Sequence, residues 1–187
     1  MTDYQVRRFR ADEWRQLREI RLEALQDTPI GFGERYEDAR AKPDSDWKER
    51  AVRAAESTET ALFGALDGDG RFVGLAGAFP QSKADWAPGA GSGAPADTSG
   101  PVVYVIYSVY VTPDHRGGGR GVASLLFDTV IAWSRDVAGA DVVTLSVHER
   151  NDRAHAFYRR YGFVDTGESM PYILNPSESL LEMRYED

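Results

Sequence analysis

Apolar positions along the chain change their period several times, and each change marks an element. Tyr4 to Phe9 alternates loosely and predicts a first strand. From Trp14 the spacing lengthens. Trp14, Leu17, Ile20 and Ala24 recur as on one face of a helix, with Asp12 placed to cap its start and Pro29 just past its end. Residues 30–42 lack a clear period and suggest a loop with a short helix. Trp47, Ala51 and Ala54 predict a further helix, and Asp46 and Glu49 have capping-box spacing, with Asp in place of the usual Ser or Thr. Thr60 to Leu66 and Arg71 to Phe79 are strand-like. The turn sequence Asp67-Gly68-Asp69-Gly70 joins them, so they predict an antiparallel hairpin.

In the second half, Val102 to Val111 is dominated by valine, isoleucine and tyrosine and predicts a strong strand. Val122, Leu125, Leu126, Val130 and Trp133 then recur with helical period, and Val142 to Val147 is strand-like again. Asn151 is placed to cap a helix that carries Ala154, Phe157, Tyr158 and Tyr161 on one face, with Gly162 as its C-terminal cap. Phe163 to Thr166 and Leu180 to Tyr185 predict the last strands. The order is mixed α and β, and the strand–helix–strand unit at 102–147 requires a right-handed parallel crossover. Residues 81–100 are rich in Gly, Ala, Pro and Ser. They are expected to form a flexible insertion loop inside one domain spanning 1–187.

Composition narrows the function more than the fold. With 42% hydrophobic and 28% charged residues, the chain has the balance of an ordinary soluble globular protein. Cysteine is absent, which removes disulfides, thiol nucleophiles and thiolate metal sites. His115, His148 and His155 are not spaced as metal ligands, so no metal is expected. A net charge of −8 argues against nucleic acid as a partner and weakly favours a cationic small molecule. The apolar run Val102–Val111 is too short to span a bilayer as a helix, and the opening residues lack a signal-peptide core. A cytoplasmic protein without a membrane partner is expected, either a monomer or a homodimer.

The densest candidate chemistry is Pro113-Asp114-His115-Arg116-Gly117-Gly118-Gly119-Arg120-Gly121, lying between the strong strand and the helix that opens at Val122. The plain alternative is a turn. The functional one is a cradle for phosphate. The first turn of a helix leaves N–H groups unpaired and partly positive, glycines let a ligand reach that backbone, and Arg116 and Arg120 add charge. A P-loop would need Gly-Lys-Ser/Thr where Gly119-Arg120-Gly121 stands, which also disfavours a kinase or nucleotidase. A dinucleotide fingerprint would need a glycine at Val122.

The stretch resembles motif A of the GNAT superfamily of N-acetyltransferases, Q/R-x-x-G-x-G/A, matched by Arg116, Gly119 and Gly121. The block Leu145–Phe163, with Asn151, Ala154, Tyr158, Gly162 and Phe163 in place, resembles the strand and helix that follow in that family. The resemblance implies a central mixed, mostly antiparallel sheet flanked by helices, with acetyl-CoA in a wedge where the fourth and fifth strands splay apart. It implies that the main chain at Val109, Tyr110 and Val111 pairs with the pantetheine arm. It implies that the amides of Gly117, Gly118, Gly119, Arg120, Gly121 and Val122 hold the pyrophosphate, beside Arg116. Asn151 would contact the cofactor arm, and Tyr158 would sit near the sulfur as general acid. The activity implied is direct transfer of an acetyl group to a primary amine of a small molecule or peptide. A non-catalytic acyl-CoA-binding sensor is the alternative.

Each assignment has a plain counterpart. Tyr158 also fits as core filler beside Ala154 and Phe157, and Asn151 as a helix cap alone. Tyr107, Ser108 and Tyr110 either line the acceptor pocket or simply pack. Some members of the family place a glutamate base just before the position of Val147, where this chain has Ser146. The remaining candidates are His148, which is expected to be a solvated strand-end residue, Glu34 or Glu37 acting through water, or no dedicated base.

Overall fold

In a computed structural model, which describes residues 4–81, 100–117 and 121–186, the strand-like segments form one seven-stranded sheet. The strands are β1 (Gln5–Arg8), β2 (Ala61–Leu66), β3 (Phe72–Pro80), β4 (Val103–Val111), β5 (Val142–His148), β6 (Phe163–Tyr172) and β7 (Asn175–Tyr185). Their spatial order is β1-β2-β3-β4-β5-β7-β6, and β4–β5 is a parallel pair within an otherwise antiparallel sheet. The mixed, mostly antiparallel architecture expected from the sequence is the one observed. Residues 82–99, the body of the expected insertion loop, lie outside the described residues.

Helices α1 (Trp14–Asp27), α2 (Tyr36–Ala41) and α3 (Asp44–Glu56) pack on one face of the sheet, and α4 (Val122–Ala132) and α5 (Asp152–Tyr161) on the other. Strand alternation divides the core accordingly. Leu62, Leu75 and Tyr110 join Trp14, Leu17, Ile20 and Trp47 under the first three helices, whereas Phe63, Val73 and Ile106 meet Leu126, Phe127 and Val130 of α4. Each fully buried Leu or Ile contributes roughly 1.5–3 kcal/mol of apolar transfer.

Several boundaries differ from the sequence expectation. Asp12 does not cap α1. Glu13 holds the cap position and turns its carboxylate back to the Arg10 N–H at 2.8 Å and to Arg7 at 2.6 Å. Helix α3 begins at Asp44 rather than at Asp46, because Pro43 supplies an extended cap residue and the Asp46 N–H bonds the Pro43 carbonyl instead. Beyond Ala132 the last turn widens into a π-helix over Trp133–Val137, where buried Ser134 donates its hydroxyl to the Val130 carbonyl at 2.8 Å. Strands β6 and β7 are longer than their apolar runs. Gly167, at φ 87°, lies inside a register shift that lets β6 continue through polar residues.

Candidate active site

Strands β4 and β5 part company midway. Their ladder joins Val103–Ile106 to Val142–Leu145, yet β4 continues to Val111 and β5 to His148. A bulge in β4 lies just past that point. Ser108 and Val109 together oppose Ala76 of β3, and Ser108 adopts φ 55°, an unusual conformation for a residue with a Cβ. The Ser108 hydroxyl accepts a hydrogen bond from Nη1 of Arg21 at 3.1 Å, which holds the bulge from the α1 side. Past the bulge, Thr112 donates to the Val73 carbonyl on β3. By alternation Tyr110 also faces β3, and Val109 and Val111 turn their amide groups toward the opened edge.

The wedge so formed is the mouth of a cavity of about 980 Å³. Val109, Tyr110 and Val111 line it, as do Gly117, Gly121 and Val122 at the start of α4. Gly121 is the extended cap residue of that helix and Gly117 has φ 88°, so the loop approaches the helix through a left-handed turn that favours glycine. Gly118, Gly119 and Arg120 lie outside the described residues. Arg116 lines the cavity, but its guanidinium is engaged: it pairs with Asp27 of α1, lies over the Tyr110 ring and donates Nε to the Val111 carbonyl at 2.6 Å. The hydrogen bond from Arg116 holds the Asp27 carboxyl below the ordinary range.

Asn151 caps α5, accepting the Ala154 N–H at 3.3 Å, and also lines the cavity. Tyr158 is 7% exposed, packs against Phe127, Phe157 and Phe163, and reaches the cavity wall. Burial pushes its phenol well above the ordinary value, so the group stays protonated. Burial and then the nearby Glu23 carboxylate do the same for Tyr110, whose hydroxyl donates to Glu23 at 3.0 Å. That bond ties Tyr110 to α1 on the far side of the strand.

The other end of the cavity lies against α1 and the β6–β7 hairpin. His148 is not solvated, as the sequence had suggested. It is 2% exposed, with Nε2 3.3 Å from Glu178, Nδ1 3.2 Å from the Arg150 N–H, and its ring edge-on to Tyr172. Both ring nitrogens are thus engaged. Tyr172 donates to the Phe32 carbonyl at 2.7 Å and closes the loop after α1 over this end. Glu34 does not line the cavity; it is enclosed by Arg21, Lys42 and Arg50. Glu37 is exposed on α2 and does not line it either. Ser146 does, and so does Glu182, its partner in register on β7. Leu181 and Met183 pack into the core on the α4 side, so Glu182 points to the Ser146 face. The sequence gives little warning of Glu182, because strand pairing places it there and the two residues are far apart in the chain. Among the described residues it is the carboxylate that lines the cavity, against Arg21, Arg116, Arg153 and Arg160. The local balance is positive although the chain as a whole carries −8.

The sequence profile of the acetyltransferase (GNAT) family matches residues 14–163, and the chain belongs to that family. It is an acetyltransferase, with acetyl-CoA as cosubstrate. No curated protein sequence matches the chain. Among solved structures it is similar to a GNAT-family acetyltransferase from Streptococcus pneumoniae, at 15% identity and TM-score 0.72 over 97% of this chain and 98% of that one. It is similar to spermidine N-acetyltransferase from Vibrio cholerae in complex with CoA and spermine, at 14% identity and TM-score 0.69 over 97% and 94%. It is also similar to NAA60 of Arabidopsis thaliana in complex with acetyl-CoA, at 16% identity and TM-score 0.67 over 98% of each chain. Such identities establish a common fold. Among the described residues no group of His, Asp and Glu is placed to hold a metal ion, and no helix is long and apolar enough to cross a membrane.

Proposed function

We propose that this enzyme transfers the acetyl group of acetyl-CoA directly to a primary amine. The observation that carries the proposal is the wedge between β4 and β5, with the amide edges of Val109 and Val111 on one side, the start of α4 at its mouth and the Tyr158 phenol in its wall. These residues suit the cosubstrate. An extended amide-bearing arm completes the interrupted ladder as an added strand would. Its diphosphate meets the N-terminus of α4, reached through Gly117 to Val122 and next to Arg116. Asn151 lies along the arm.

The chemistry requires one bond exchanged for another. The acceptor loses a proton to become a neutral amine, against an ordinary pKa of about 10.4. Its nitrogen forms a C–N bond to the thioester carbon, the C–S bond breaks, the nitrogen sheds a second proton and the sulfur gains one. Backbone N–H groups at the wedge stabilise the oxyanion. Tyr158 stays protonated and hydrogen-bonds the sulfur as charge develops there, and the proton shed by nitrogen ends on the sulfur. Glu182 faces the incoming ammonium and receives its first proton through water. His148 and Glu34 are already bound to other groups, which leaves this carboxylate for the task.

A panel of small primary amines and peptides, with free thiol as readout, tests the proposal. At least one acceptor is expected to release thiol in step with loss of amine. Tight acetyl-CoA binding with no thiol release across the panel would favour the sensor reading instead.

A further inference from the structure

A second, smaller cavity of about 230 Å³ opens behind Tyr107, lined by Arg21 of α1, Arg50 and Arg53 of α3, Thr60, Tyr107 and Ser108. Arg21, Tyr107 and Ser108 line both cavities, so the two are neighbours across the β4 bulge. Three guanidinium groups share this small space and no carboxylate lines it. Glu34, behind it, is largely spent. Its Oε2 takes Nη2 of Arg21 at 3.0 Å, its Oε1 takes Lys42, and Arg50 stands 3.7 Å off, beyond hydrogen-bond reach. Among the described residues Arg50 makes no hydrogen bond; its guanidinium lies over the Trp47 ring. Arg53 is paired with Glu49 on the exposed side of α3. Burial raises the Tyr107 phenol above its ordinary value, while Arg50, Arg21, Arg53 and Arg8 all act on it in the opposite sense. Arg21 is buried while Arg50 and Arg53 reach solvent, and with Lys42 these cations outnumber the carboxylates Glu34 and Glu49 that face them, which leaves the wall short of anion.

We propose that the second cavity is an oxyanion subsite of the acceptor, holding a carboxylate or phosphate of the same molecule whose amine is acetylated. The inference rests on the acetyl-transfer reading for the identity of that molecule. Sheet register sets the span. Ile106 pairs with Leu145, so Tyr107 stands beside Ser146, and Ser146 pairs with Glu182. The three residues form one row across β4, β5 and β7 on the face toward α1. One strand spacing, about 5 Å, separates Ser146 from Glu182, and the gap from Tyr107 to Ser146 is wider because the β4–β5 ladder ends at Ile106–Leu145. An amine held between Tyr107 and Glu182 and an anion beyond Tyr107 are too far apart for the two groups of an α-amino acid. An ω-amino acid or the phosphate ester of an amino alcohol fits. Arg21 is held by Glu34 and Ser108, whereas the planar fork of Arg50, which makes no hydrogen bond among the described residues, suits either oxyanion.

The test is equilibrium binding to the CoA-loaded full chain, measured by calorimetry with 5-aminovalerate, its uncharged carboxamide and 3-aminopropyl phosphate. The acid or the phosphate is expected to bind at least about tenfold more tightly than the carboxamide, as a charge-assisted pair would give. Whichever of the two is tighter identifies the oxyanion. The preference should collapse toward unity in Arg50→Gln and in Arg53→Gln, with the heat of CoA binding as the folding control. Equal affinity for acid and amide, no binding of any of the three, or a preference that survives in both variants would overturn the subsite. Because the readout is binding rather than turnover, failure of thiol release in the amine panel would reject the transfer reading without touching this result.

Discussion

Replacing Tyr158 by Phe is expected to lower kcat by about 10²–10³ while acetyl-CoA affinity changes only a few-fold. The ring would still fill its place among Phe127, Phe157 and Phe163, so the fold should hold. What is lost is one hydroxyl at the cavity wall. Among the described residues that hydroxyl makes no hydrogen bond, so its removal leaves no protein group unsatisfied. The raised phenol pKa sharpens the expectation. A thiolate leaving group is a weaker base than this phenolate, so Tyr158 acts by holding a proton against the sulfur and does not ionise in the ground state. The rate in the wild type should therefore show no loss on the alkaline side up to about pH 9 that traces to this residue. Steady-state kinetics with a responsive amine, paired with calorimetry, measures both quantities. A variant with wild-type kcat would remove Tyr158 from the chemistry and leave it as core.

Glu34→Gln is expected to cost about 2–3 kcal/mol of stability at pH 7, or roughly 5–10 °C in Tm for a chain of this size. Arg21 is buried and holds Glu34 through both Nε and Nη2, so neutralising the carboxylate strands its charge beside Lys42 and Arg50. Burial alone would raise Glu34. The hydrogen bonds from Lys42 and Arg21 outweigh it and hold the group below the ordinary carboxylate range. A folded-state pKa below the unfolded value contributes stability that is complete above the unfolded value, about 4.3, and is lost as pH falls through the folded one. The gap between wild type and variant should thus be full at pH 7 and should narrow below about pH 4. Thermal melts at the two pH values read it directly. A gap independent of pH would mean that packing, rather than charge, sets the cost.

The sequence made the strands, the Gly162 cap and the glycine-rich stretch that leads into α4 legible because those depend on local spacing. Val122, Leu126 and Val130 announce α4, and Asn151 and Gly162 bracket α5, through rules that span a few residues. The end of the cavity against α1 and the β6–β7 hairpin was not legible. His148 looks like a strand-end residue in one dimension, but the β6–β7 hairpin covers it with Tyr172 and Glu178 from some thirty residues away. The bulge at Ser108 leaves no mark in the run Val-Ile-Tyr-Ser-Val-Tyr-Val, since it is a property of pairing with β3. Arg21 appears as one charge among many on a polar helix face until α1 docks on the sheet. Net charge likewise averages the surface and says nothing of the arginines gathered around one wall.

Residue-resolved amide exchange with and without acetyl-CoA tests the central claim most directly. The Tyr110 N–H faces β3 and is already bonded there, whereas those of Val109 and Val111 face the wedge. Saturating acetyl-CoA should slow exchange at Val109 and Val111 and leave Tyr110 unchanged. Unaltered exchange at both valines, with the cosubstrate demonstrably bound, would place it elsewhere and contradict the account.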